Sequence, residues 1–166
     1  MTVNNPYFLR DLNIENLAIR LLSETLGDKI IPIDVIELAK FLDISIEFNS
    51  EKFTNNNDLG LTEFYSQNTA PKIFINANTF GKGFTEIIDT TLFNKCRFTI
   101  AHEIGHCYLP AHKNIQIQQT LQNVNNPHSY SYSRQKEREA DEFASTLLIP
   151  EATVNKTYIS NSDDFF

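Results

Sequence analysis

The stretch Phe98-Thr99-Ile100-Ala101-His102-Glu103-Ile104-Gly105-His106 constrains the fold of this chain more than any other. Two histidines four apart on a helix leave the same face one turn apart. Both imidazoles can then reach a single metal ion, with Glu103 beside them. The plain alternative is an amphipathic helix carrying two solvated or core histidines. Against it, neither His, Glu nor Gly is a natural core residue, and Gly105 in mid-helix costs about 1 kcal/mol relative to Ala. A helix that keeps such a glycine gains something elsewhere, and close approach of another backbone or of a substrate is one such gain.

Composition narrows the partners. The 166 residues, 41 % of them apolar, suffice for a single domain over 1–166 with a core that needs no disulfide staple. Fourteen Lys and Arg against 21 Asp and Glu give a net charge of −7. Direct binding of nucleic acid needs clustered basic residues and is not expected; a basic protein partner suits the chain better. Met1 to Pro6 holds no basic segment leading into an apolar run, and no stretch approaches the roughly 20 apolar residues that span a bilayer. The expected compartment is the cytoplasm. Cys96 and Cys107, the only cysteines, both fall on the proposed helix about 16 Å apart, beyond disulfide reach, and are expected as reduced thiols. Cys107 is read as a packing residue.

The other elements follow from local pattern. Asn13 is a candidate cap for a helix with Ile14, Leu17, Ala18, Leu21, Leu22 and Leu26 at helical spacing, stopping at Gly27. Asp34 and Glu37 form a capping pair for a second helix through Leu42. Strands are expected at 44–48, 59–65 and 72–76, making a small sheet, with the last two joined through Ser66 to Pro71. Residues 78–89 carry turn chemistry and deliver the histidine helix, starting near Thr91 to Lys95. The polar run from Ile115 to Asn126, then Pro127 to Tyr132, is either a mobile connection or the carrier of a short helix. Ser133 is a candidate cap for a last helix ending before Pro150, with Ala140, Phe143, Ala144, Leu147 and Leu148 as its buried stripe.

A third metal ligand is expected on that last helix. On an ideal wheel Glu137 lies about 50° from the centre of the stripe, Glu139 about 110° away and Glu142 nearly opposite. A carboxylate on a buried face needs a cation, and two His with one Glu is a standard catalytic zinc set. Asp141, one turn on, could accept the second ring N–H of a ligand histidine. Taken alone, Glu137 fits a surface ion pair with Arg134 or Arg138 about as well. His112 stands where a third histidine follows in the H-E-x-x-H-x-x-G-x-x-H pattern. Leu109 replaces the required Gly, however, and no methionine other than Met1 exists for the Met-turn, so His112 is read as a loop residue.

The segments His102-Glu103-Ile104-Gly105-His106, Glu137-Arg138-Glu139-Ala140-Asp141-Glu142-Phe143-Ala144 and Leu147-Leu148-Ile149-Pro150 together resemble the ImmA/IrrE family of zinc metallopeptidases. Arg97-Phe98-Thr99-Ile100-Ala101, Ile31-Pro32-Ile33-Asp34, Gly60 and Ile73-Phe74-Ile75-Asn76 are also typical of it, so that the resemblance spans roughly 30–150. It implies an α+β, thermolysin-like zincin core and an intracellular peptidase of narrow range. Members typically cleave a helix-turn-helix transcriptional repressor and so relieve repression. Carried over, His102, His106 and Glu137 would hold Zn2+, Glu103 would be the general base, and Asp141 would match the supporting acid. The chain departs from many relatives in ending 16 residues after Pro150.

The expected reaction is peptide hydrolysis, with substrate extended along a sheet edge. His128, Tyr130, Tyr132 and Arg134 are unranked candidates for stabilising the oxyanion. A metal-stabilised module that sequesters a repressor without cutting it is the alternative from another class, although Glu103 has no purpose in a purely structural site. A broader peptidase is a third reading.

Overall fold

The structure, a computed structural model, describes residues 6–25, 32–55, 57–65, 69–109 and 134–149, with side chains from Ile14 onward. The expected landmarks Gly27, His112, Ile115 to Ser133 and Pro150 lie outside these residues. Helix α1 spans Pro6–Thr25 and buries Ile14, Ala18 and Leu21. It begins upstream of the cap expected at Asn13. Proline suits a first helical position, where its missing N–H needs no partner and its fixed φ is already helical.

Helix α2, Val35–Phe41, starts where Asp34 accepts from the Ile36 and Glu37 N–H groups. It ends in a Schellman arrangement: Ile44 N–H donates to Ala39 O and Asp43 N–H to Lys40 O, with Asp43 at φ 57°. That turn leads directly into strand β1.

Three strands form one mixed sheet in the order β1-β3-β2, with β1 at Ser45–Phe48, β2 at Gly60–Glu63 and β3 at Lys72–Ile75. β1 runs parallel to β3, and β2 antiparallel. β3 is central, so Ile73, Phe74 and Ile75 are all buried, as a continuous apolar run requires. The register pairs Gly60 with Ile75 and Thr62 with Ile73, which places these four on the helix-facing side. Asn76 N–H donates to Leu59 O. Hydrogen-bonded pairs alternate along an antiparallel ladder, so the N–H and C=O of Gly60 and Thr62 point away from β3, along the edge of β2 that pairs with no strand among the described residues.

Asn76 then caps the short helix α3, Ala77–Phe80, and a 3-10 turn follows at Phe84–Glu86. The stretch expected to carry turn chemistry also holds most of one brief helix and a 3-10 turn. Helix α4, Thr90–Tyr108, is capped by Asp89, whose carboxylate accepts from Leu92 N–H at 2.8 Å. It packs against the sheet on one side and against helix α5, Arg134–Leu148, on the other; α5 also packs on α1. Ile100, Ile104, Phe143 and Leu147 meet Ile73 and Ile75 in one apolar core. The fold is α+β, with the histidine helix central. Among the described residues no helix is long and apolar enough to cross a membrane.

Candidate metal centre

The site begins with a helix crossing. A Cβ placed on Gly105 would lie 3.1 Å from Phe143 Cδ1 and 3.4 Å from Ala140 Cα, so α5 approaches α4 as closely as a glycine permits. The gain that offsets this glycine's helical cost is the backbone of Ala140. One turn before Ala140 stands Glu137 and just after it Asp141, which the crossing sets beside His102 and His106.

Three donor atoms converge there. His102 Nε2 and His106 Nε2 lie 3.0 Å apart, their rings edge to face with centroids 4.7 Å apart. Glu137 places one carboxylate oxygen 3.3 Å from His102 Nε2 and the other 3.6 Å from His106 Nε2. Ligands about 2.05 Å from a tetrahedral ion stand about 3.3 Å from one another, close to the 3.0 Å between the imidazole nitrogens and to the 3.3 and 3.6 Å from them to the two Glu137 oxygens. Among the described residues this trio is the His, Cys, Asp and Glu group whose donor atoms gather within 4.8 Å. The residues present fit the metal.

Asp141 Oδ1 lies 2.9 Å from His102 Nδ1. A carboxylate only accepts, so Nδ1 carries a proton, and Nε2, which faces Glu137 and His106, is the nitrogen left to ligate an ion when it is deprotonated. Burial works against a charged His102. The Glu137 hydrogen bond and the charges of Glu103, Glu137 and Asp141 together outweigh it and hold the imidazole above its ordinary pKa. The site is built to attract positive charge.

Glu103 turns to the sheet. Only 6 % exposed, it receives a 2.7 Å hydrogen bond at Oε2 from the Thr62 hydroxyl. A Cβ on Gly60 would come within 2.7 Å of Glu103 Oε1 and 2.8 Å of Thr99 Cγ2, so the acid occupies the space this glycine leaves open. Burial pushes Glu103 up to about 7, against the opposing pull of His102 and Thr62; the Glu137 charge adds to the rise.

The sequence-predicted residues His102, Glu103, His106, Glu137 and Asp141 are all brought together, but for Glu137 the expected reason is wrong. Its side chain is 44 % exposed, whereas Glu139 and Lys136 are buried. Leu148 is only partly buried and Lys136 joins the buried arc, which shifts the arc's centre toward Phe143. Glu137 and Glu139 then flank it on opposite margins, Glu137 on the margin that meets the histidines. A helix packed on two neighbours buries more than one stripe. His112, His128, Tyr130 and Tyr132 lie outside the described residues, and Arg134 is exposed at the start of α5.

Both cysteines are free, as expected, and both are buried. Burial pushes the Cys96 thiol up to about 12. Cys107 does more than pack, since its Sγ lies 3.9 Å from Thr62 Oγ1. Sequence reasoning missed Thr62 altogether. The available signal was the spacing Gly60-x-Thr62, which sets a gap and a hydroxyl on one face of a strand.

The family model Peptidase_M78, described as the IrrE N-terminal-like domain, matches residues 41–158, a range that includes every residue of this site. No curated protein and no solved structure matches the chain.

Proposed function

The chain belongs to the Peptidase_M78 family, and from that premise we propose that it is a zinc-dependent endopeptidase whose substrate is a helix-turn-helix transcriptional repressor, cut to relieve repression. One observation carries the catalytic part: two imidazole nitrogens and a carboxylate at a spacing close to that of zinc ligands, with a second, buried carboxylate on the helix of the histidines. A structural metal site needs no such additional acid. The repressor rests on the resemblance of the paired motifs, and the net charge of −7 suits a basic partner.

His102, His106 and Glu137 would hold the ion, with Asp141 keeping the His102 ring in place. Zinc bound there supplies Lewis-acid chemistry, lowering the pKa of water and polarising a carbonyl. Glu103 takes the proton of the attacking water and returns it to the leaving amine, a task suited to a buried carboxyl held at 2.7 Å by the Thr62 hydroxyl. The edge of β2 away from β3 offers the main-chain groups of Gly60 and Thr62 to an extended peptide. Gly60 and Thr62 both face Glu103, so a peptide paired along that edge runs beside the base.

Elemental mass spectrometry is the first test, on wild type and Glu137→Ala prepared together. About one zinc per chain is expected in wild type and far less in the variant; equal content would remove Glu137 from the ligand set. Cuts are then mapped in a mixture of proteome-derived peptides and in purified helix-turn-helix repressors. Glu103→Gln should keep zinc and lose cleavage by roughly 10²–10⁴-fold. Full activity in that variant would end the assignment of the base, and cleavage of unfolded casein at the repressor's rate would end the narrow specificity.

A further inference from the structure

We propose that Thr62 is a positioning residue for the Glu103 carboxylate; the inference rests on the peptidase reading and adds to it a residue from the sheet. Thr62 is 1 % exposed and faces α4. Its hydroxyl has one proton and two acceptors within reach, Glu103 Oε2 at 2.7 Å and the Glu103 main-chain oxygen at 3.3 Å. The shorter, charge-assisted bond takes the proton. The Cys107 thiol, 3.9 Å from Thr62 Oγ1 and oriented to donate to it, agrees with that sense.

The carboxylate is held from two sides. Oε2 is committed to Thr62, while motion of Oε1 toward the strand ends at the backbone of Gly60, where even a methyl group would lie 2.7 Å away. Oε1 is left for the proton of the attacking water. If only volume counted, valine would fill the Thr62 position as well, and burying a hydroxyl is unfavourable unless its hydrogen bonds are made. Here they are made to the one acid on which hydrolysis depends.

The test compares Thr62→Val with Thr62→Ser in the zinc-loaded protein. Three quantities are read: zinc per chain, the infrared carboxylate band that Glu103→Gln removes from protein carrying ¹³C-labelled glutamate, and kcat and KM on a fluorogenic peptide taken from the mapped cuts. Thr62→Val should keep zinc, hold KM within about twofold and lose roughly 10–100-fold in kcat. Its Glu103 band should shift, and Thr62→Ser should restore both band and kcat. A valine variant with wild-type kcat overturns the inference, and so does a serine variant as slow as the valine one, since the side chain would then act by packing alone. Should valine prevent folding, Thr62→Ala supplies the same comparison with serine. Zinc-loaded wild type that cuts no peptide overturns the peptidase reading itself and this inference with it, an outcome distinct from either variant result.

Discussion

Thr62 and Glu63 are neighbours on β2, one facing helix α4 and the other the outer side of the sheet, and the two sides treat a carboxylate in opposite ways. On the outer side Glu63 accepts from Lys52 Nζ at 2.8 Å and from the Tyr65 hydroxyl at 2.8 Å. Glu47 there pairs with Lys72 and accepts from Asn49 at 2.8 Å. The hydrogen bonds from Lys72 and then Asn49 hold Glu47 below the ordinary carboxyl range. Lys52 and Lys72 also stand 4.6 and 5.1 Å from the Phe74 ring centroid, shielding an aromatic that is only 2 % exposed. On the inner side Glu103 has a neutral hydroxyl and a histidine, and its pKa rises. The outer face neutralises its own charge; the inner face leaves negative charge for something else to answer. The proposed chemistry lies on the side where the described residues do not complete the balance.

The largest expected effect comes from titrating that imbalance in metal-free protein. Glu103 has a folded pKa near 7 against an ordinary value of 4.5, so the native state holds its proton more tightly than the unfolded chain. Stability is greatest below about 4.5 and falls as pH rises toward 7, by about 3 kcal/mol for this group. His102, raised above 6.5, acts in the same direction: its contribution is present below 6.5 and lost as pH passes its folded pKa. Glu47 has the opposite slope, losing its contribution as pH falls below 4.5. Urea unfolding of metal-free wild type and Glu103→Gln at pH 5 and pH 8 separates the faces. The glutamine variant should lose most of the decline, and an unchanged decline would place the buried charge somewhere other than Glu103. Zinc should offset the decline, because the ion favours the deprotonated ligands.

Gly60→Ala sharpens the same comparison by steric means. The added methyl would meet Glu103 Cγ and Thr99 Cγ2 at 2.8 Å, and these sit near the backbone of a central helix rather than at the end of a mobile side chain. We expect a loss of about 1–3 kcal/mol in urea unfolding, zinc retained and cleavage strongly reduced. Wild-type cleavage in this variant would mean that Glu103 works equally well from another seat.

What was legible in the sequence was local. The Asp34 cap, the apolar run of β3 and the paired histidines of α4 depend on neighbours within a turn or two, and all were found in place. Gly105 was legible for a similar reason, because a glycine in mid-helix asks for an explanation that few arrangements supply. The start of α1 was missed because Asn13 caps well in isolation, while the helix had already begun at Pro6. Glu137 was found from a wheel that took one apolar stripe for the whole buried face, an approximation that fails for a helix packed on two others. Thr62 was legible only as a hydroxyl two residues from Gly60 on one face of a strand. Its importance arises from a contact between strand and helix residues 41 positions apart, and an isolated threonine in a strand gives no sign of what lies opposite.

The smallest expected effect is on the outer face, and it bears on the comparison because it should be small. Lys52→Ala removes an ion pair whose side chains are 32 % and 15 % exposed, together with one of the two ammonium groups over Phe74. Glu63 retains the Tyr65 hydroxyl and access to water, so no charge is stranded, and Lys72 still covers the ring. A loss of about 1 kcal/mol or less in urea unfolding should follow, with zinc content and cleavage unchanged. A loss as large as that of Gly60→Ala would contradict the contrast between the faces, since it would show the outer charges to be as tightly bound into the fold as the acid beneath the sheet. A loss of zinc would contradict it differently, because Lys52 could then reach the metal site only through the strand that holds Thr62.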